Sequence, residues 1–145
     1  MKKLDNKRIA KKLGIKILKL KDLKKYGLTI QSMKKTYGWI PGGLSIGAVE
    51  RKIWLHSRAP TSTFIHECIH VLLGHEGGDL FGKSFCTEEI ECDSVVIEIC
   101  KALDLPVYRT YLNKWKRRAY RKKYNIKLRN RKMKQVFNQF MEAVG

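Results

Sequence analysis

The sequence has no apolar run near the ~20 residues that a membrane-spanning helix needs. Its opening Met1-Lys2-Lys3-Leu4-Asp5 leads into no signal-peptide block, so the chain is expected in the cytosol, away from membranes. It also lacks any Cys-x-x-Cys pair. Cys68, Cys86, Cys92 and Cys100 lie 18, 6 and 8 residues apart, a spacing that excludes a zinc knuckle and, in a reducing compartment, suggests buried thiols instead of disulfides. Acids are scarce as well, 13 Asp and Glu against 31 Lys and Arg, for a net charge of +18.

Those acids are unevenly placed. Residues 1–38 hold 13 basic side chains against 2 acids, residues 39–105 hold 5 against 10, and residues 106–145 hold 13 against 1. The 145 residues suit one domain, read here as a basic N-terminal part (1–37), a core (38–105) and a basic helical C-terminal extension (106–145). Basic flanks of this size are expected to attract nucleic acid or another polyanion, unless they are only a solvated lysine-rich surface. The acidic middle is where chemistry is to be sought.

Its centre is Thr63-Phe64-Ile65-His66-Glu67-Cys68-Ile69-His70-Val71-Leu72-Leu73. Helical residues four apart stack on one face, so His66 and His70 can present two imidazoles to one metal ion, with the Glu67 carboxylate beside them. This is the His-Glu-x-x-His arrangement of zinc hydrolases, in which the glutamate takes a proton from water. Phe64, Ile65, Ile69, Leu72 and Leu73 would bury the helix, and buried imidazoles and a carboxylate need compensation that a metal provides. The alternative is a core helix with incidental histidines.

Two histidines leave a catalytic zinc site one protein ligand short. Thr87 is expected to cap a second helix reaching about Leu103, whose acids suit its N-terminal dipole or complete the site. Glu89 is the preferred third ligand, with Glu91, His75 and Glu88 as alternatives. Asp93, four residues after Glu89, shares its face and could hydrogen-bond a ligand histidine. His75 is expected as a second-sphere or substrate contact. His75, Tyr108, Arg109 and Tyr111 are candidates for stabilising an oxyanion.

Elsewhere the pattern predicts a helix over 5–13 stopped by Gly14, a strand over 15–20, and helical residues 21–37 broken at Gly27. A hairpin is expected from 44–49 and 52–56, with 53–57 as a candidate substrate-pairing strand. Pro60 and a hydroxyl cap from Thr61-Ser62-Thr63 should start the central helix. After Leu105-Pro106, two basic helices are expected. One carries a core stripe of Tyr108, Tyr111, Leu112, Trp115 and Ala119, the other one of Met133, Val136, Phe137, Phe140 and Val144. Lys114, Lys116, Arg117, Arg118, Arg121, Lys122 and Lys123 on the first, and Arg129, Arg131, Lys132 and Lys134 on the second, could hold a phosphate backbone without reading sequence.

The segments from Thr63 to His75 and from Glu89 to Val96 resemble the ImmA/IrrE-type metallopeptidases and the peptidase-like domain of ArdC-type antirestriction proteins. The likeness spans roughly residues 38–105. It implies a zincin-like α+β fold of the gluzincin type, with a small sheet or hairpin packed on the His-Glu-x-x-His helix. One Zn2+ per chain would be held by His66, His70 and Glu89, and Glu67 would be catalytic. Asp93 stands where that family often has Glu or Asn. The resemblance further implies an origin in phages or mobile elements. The expected partner is a protein or peptide substrate such as a repressor or other DNA-associated protein, alongside non-specific nucleic acid.

Overall fold

A computed structural model describes residues 4–38, 41–46, 49–75, 83–106 and 130–145. Among them, five α-helices and one 3-10 helix surround a three-stranded sheet, an α+β arrangement.

The N-terminal elements follow local signals. Asp5 accepts a hydrogen bond from the Arg8 amide at 3.1 Å and so caps α1 (Asn6–Leu13), while Gly14 stops it at φ 68°. Strand β1 (Lys16–Leu18) follows, then a 3-10 helix (Leu20–Tyr26) that ends at Gly27. Thr29 and Ser32 exchange hydrogen bonds at the start of α2 (Ile30–Tyr37), satisfying two amides that a helix leaves open.

Strands β2 (Gly43–Ile46) and β3 (Lys52–Leu55) form the expected antiparallel hairpin, with Leu44 opposite Trp54 and Ile46 opposite Lys52. β1 pairs parallel to β3, Ile17 opposite Ile53, giving the order β1-β3-β2. Arg51, at φ 52° in the hairpin turn, donates through its guanidinium to the carbonyls of Leu13 and Gly14, and thereby caps the end of α1. This topology corrects the reading of 53–57 as a substrate strand: β3 is paired on both sides and has no open edge. Among the described residues β1 and β2 each have one side unpaired, and of the two it is β2 that passes Glu67.

α3 (Thr61–Leu72) carries the histidines, and α4 (Lys83–Ala102) packs along it. Neither N-terminus matches expectation. Pro60, in an extended conformation, occupies the cap position of α3, and no side chain caps there; the three hydroxyl residues form the first turn. α4 starts four residues before Thr87, since no glycine or proline between Lys83 and Glu88 halts the helix. The last helix, α5 (Asn130–Val144), buries Val136 and Phe140, with Met133, Phe137 and Val144 packed at the margin, as its stripe predicts. Arg131, Lys132 and Lys134 are exposed on its other side. The stripe from Tyr108 to Ala119 lies outside the described residues.

The main core joins α1, α3, α4, α5 and Ile53 of the sheet, with Phe64 and Phe140 in contact at 6.5 Å between ring centres. A second cluster of Leu18, Leu23, Met33 and Trp54 holds the 3-10 helix and α2 on the sheet. α3 is thus fixed between sheet and helices, and its polar residues cannot turn away from α4. No helix among the described residues is long and apolar enough to cross a membrane.

Candidate metal centre

Helical spacing on α3 brings His66 and His70 together with their rings at right angles, 4.5 Å between centres. Their Nε2 atoms are 3.0 Å apart. From α4, Glu89 places Oε1 2.9 Å from His70 Nε2 and Oε2 3.5 Å from His66 Nε2. Ligands at zinc distances of about 2.0–2.1 Å in a tetrahedron lie about 3.3 Å from each other, so the two nitrogens and this carboxylate converge at metal-ligand separations. Glu67 turns toward the same point, its Oε1 4.0 Å from His66 Nε2.

The opposite ring nitrogens are engaged. His66 Nδ1 meets Asp93 Oδ1 at 3.0 Å, the contact expected from the shared face of Glu89 and Asp93. A carboxylate only accepts, so His66 donates from Nδ1, and Nε2 is the nitrogen that a neutral His66 would offer to a metal. His70 Nδ1 meets His75 Nδ1 at 2.8 Å, and His75 Nε2 meets Glu91 Oε2 at 3.0 Å. His75 and Glu91 are both buried. Two imidazole nitrogens and a carboxylate facing one another could hold a cation.

Burial and the cluster's own charges set the electrostatics of the site. Burial, reinforced by Glu89 and Asp93 and opposed by His66, pushes the Glu67 carboxyl up to about 7. Burial also lowers the proton affinity of His70. It would raise Glu89, but the His70 contact and the charge of His66 outweigh it and hold this carboxyl below its usual 4.5. Burial opposes a charge on His66 too, yet the Cys92 and Asp93 contacts and nearby Glu67 lift it well above an ordinary histidine. His66 is the point on which the surrounding negative charge focuses.

Two further groupings are compact enough to hold a metal: His66, His70 and Cys92, and His66, Glu89 and Asp93. The first would need Cys92 as a thiolate, but burial pushes that thiol up to about 12, and its sulfur lies 3.5 Å from His66 Nδ1 and 3.1 Å from the His66 carbonyl oxygen. The second would take the Asp93 oxygen that supports His66. Asp93 Oδ2 is itself buried without a hydrogen-bond partner, so Asp93 has coordinating capacity in reserve. In the set of His66 Nε2, His70 Nε2 and the Glu89 carboxylate the contacts run from 2.9 to 3.5 Å.

Among the other expected ligands, Glu91 is turned to His75, and Glu88 is half-buried outside both compact groupings. Tyr108, Arg109, Tyr111, Lys116, Arg117, Arg118, Arg121, Lys122 and Lys123 lie outside the described residues. Sequence reasoning missed three contributors. The Glu91–His75 pair joins residues 16 apart on different elements, which no periodicity signals. The Cys92 contact with His66 is equally non-local. The third is Gly43 on β2, where a β-carbon would stand 3.0 Å from Glu67 Cγ; the run Pro41-Gly42-Gly43 was its only signal. No family model matches this sequence, and searches of curated proteins and of solved structures each returned no match.

Proposed function

We propose that this protein is a zinc-dependent peptidase of the zincin type, with His66, His70 and Glu89 as ligands and Glu67 as general base. The observation that carries the reading is the convergence of His66 Nε2, His70 Nε2 and the Glu89 carboxylate at 2.9–3.5 Å, with Glu67 beside them. Zinc held there supplies a Lewis acid that polarises a carbonyl and acidifies water. Glu67 accepts the proton of the attacking water and delivers it to the leaving amine. Its carboxylate lies beside the cluster, with Oε1 4.0 Å from His66 Nε2, where it can reach a water held there. β2 passes next to Glu67 with one edge unpaired among the described residues, so an extended peptide can pair there and lie across the site. The same set of residues underlies the likeness to ImmA/IrrE-type peptidases, from which a cytosolic repressor or other DNA-associated protein follows as the proposed substrate.

Metal content tests the reading directly. Wild type and Glu67→Gln should each carry one zinc per chain, Glu89→Ala should lose it, and Glu67→Gln should be inactive on any peptide that wild type cleaves. Full zinc retention in Glu89→Ala would overturn the ligand set.

A second reading, nucleic-acid binding, is favoured by the N-terminal surface. Lys16, Lys21, Lys24, Lys25, Lys34 and Lys35 are all exposed on β1, the 3-10 helix and α2, with Asp22 the lone acid among them. Such a surface contacts phosphates irrespective of sequence. Binding to random-sequence DNA that weakens steeply with salt and persists in Glu67→Gln supports it; the absence of binding at low salt removes it.

A further inference from the structure

The end of α3 is built to return His75 onto His70. Gly74 adopts φ 78°, its amide donates to the Val71 carbonyl at 3.1 Å, and the His75 amide donates to the His70 carbonyl at 3.0 Å. This pair of bonds is the Schellman ending, in which a left-handed residue folds the chain back across the last turn. Here it carries a ring with it: His75 Nδ1 lies 2.8 Å from His70 Nδ1, and His75 Nε2 3.0 Å from Glu91 Oε2 on α4.

We propose that His75 and Glu91 are positioning residues, a buried two-step relay that fixes the tautomer and aim of His70. The proposal rests on the reading of His70 as a metal ligand. The hydrogens can be placed in order. The Glu91 carboxylate has no hydrogen to give, so His75 donates from Nε2. Neutral His75 then has its lone pair at Nδ1 and accepts from His70 Nδ1. His70 is left with a lone pair at Nε2, directed at His66 and Glu89. The reverse order would put a hydrogen on His70 Nε2, where it would occupy the ligand position.

The relay also pairs the two ligand histidines with separate anchors. Asp93 holds His66 directly, whereas Glu91 holds His70 through His75. Both anchors come from α4, the helix that supplies Glu89. One helix therefore sets the orientation of both imidazoles on the other.

Three variants and one spectrum test this. Zinc affinity is measured by chelator competition in wild type, His75→Phe, His75→Asn and Gly74→Ala. His75→Phe removes the acceptor and should weaken zinc binding about 10- to 100-fold, the usual effect of losing a partner of a ligand histidine. His75→Asn can offer its side-chain oxygen near the former Nδ1 position and should recover most of that loss. Gly74→Ala meets no neighbouring atom within 4 Å, so its effect is confined to the left-handed backbone, and it should weaken zinc less than His75→Phe. Long-range proton–nitrogen correlation spectra of the zinc-loaded wild type should show hydrogen on His70 Nδ1 and on His75 Nε2, which holds the proposal to account even where a variant fails to fold. Equal zinc affinity in wild type and His75→Phe, or hydrogen on His75 Nδ1, overturns the relay and leaves the zinc site standing. A wild type that binds no zinc overturns the reading beneath it, and the relay with it.

Discussion

Replacing Gly43 by alanine tests how closely the sheet approaches the Glu67 carboxylate. The new methyl would stand 3.0 Å from Glu67 Cγ, 3.0 Å from the Trp54 carbonyl oxygen and 3.1 Å from Thr63 Cγ2, whereas ordinary contacts of a β-carbon begin at 3.4 Å. β2 must therefore retreat by about 0.4 Å from α3 or from its partner strand, or the Glu67 side chain must swing away. The Trp54 oxygen belongs to the paired backbone of β3 and cannot yield alone. Overpacking of this kind costs about 1–3 kcal/mol, and we expect a loss near 2 kcal/mol in urea unfolding of the zinc-loaded protein. Thr63→Ser removes one of the three obstructing atoms, so the double variant should recover part of the loss without restoring it. Because a displacement of about 1 Å near reacting groups costs on the order of 100-fold in rate, a shift of a few tenths should reduce turnover several-fold while zinc stays bound. A Gly43→Ala protein as stable as wild type, with unchanged turnover, would refute the argument that this position admits no side chain.

Phe140→Ala removes a fully buried ring that meets Phe64 on α3. It should cost about 3–5 kcal/mol in denaturant unfolding, and an exposed substitution on the same helix, Lys132→Ala, should stay within about 0.5 kcal/mol of wild type. Asp22 accepts from the Lys19 amide at 2.9 Å, and that bond, with nearby lysines, holds its carboxyl below the ordinary 3.8. A depressed carboxyl contributes stability that is present above pH 3.8 and lost as pH falls through the lower folded value, so the deficit of Asp22→Ala in thermal unfolding should shrink across that acid window. Adding zinc at about 100 times its dissociation constant to the stripped protein should stabilise it by about 2.7 kcal/mol, read as a rise in melting temperature that Glu89→Ala does not show.

Legibility in the sequence followed locality. The stops at Gly14 and Gly27, the pairing of His66 with His70 and the pairing of Glu89 with Asp93 each depend on residues within about one turn of each other, and each was readable, whereas the meeting of the two pairs depends on how α3 and α4 pack. The place of β3 was not, because it depends on a parallel partner, β1, that precedes it by more than thirty residues. Thr87 looked like a helix start for want of any sign that α4 begins at Lys83, since serine and threonine occur inside helices as well as at their ends. The pairing of Glu91 with His75 arises only when Gly74 turns the chain back, which spacing alone cannot reveal.

The guanidinium of Arg51 has a consequence for how the chain assembles. It reaches the Leu13 and Gly14 carbonyls across 38 and 37 residues, and the Lys16 amide donates to the Arg51 carbonyl at 2.9 Å. The conformation that aims it exists only once the β2–β3 turn has formed, and the pairing of β2 with β3 joins residues close in sequence. Folding should therefore be sequential: a hairpin that closes within microseconds, then capture of the N-terminal segment by a contact whose long loop makes it the slower event. Arg51 is the clasp for that second event, and its loss should slow docking of α1 and β1 more than it disturbs the hairpin they join.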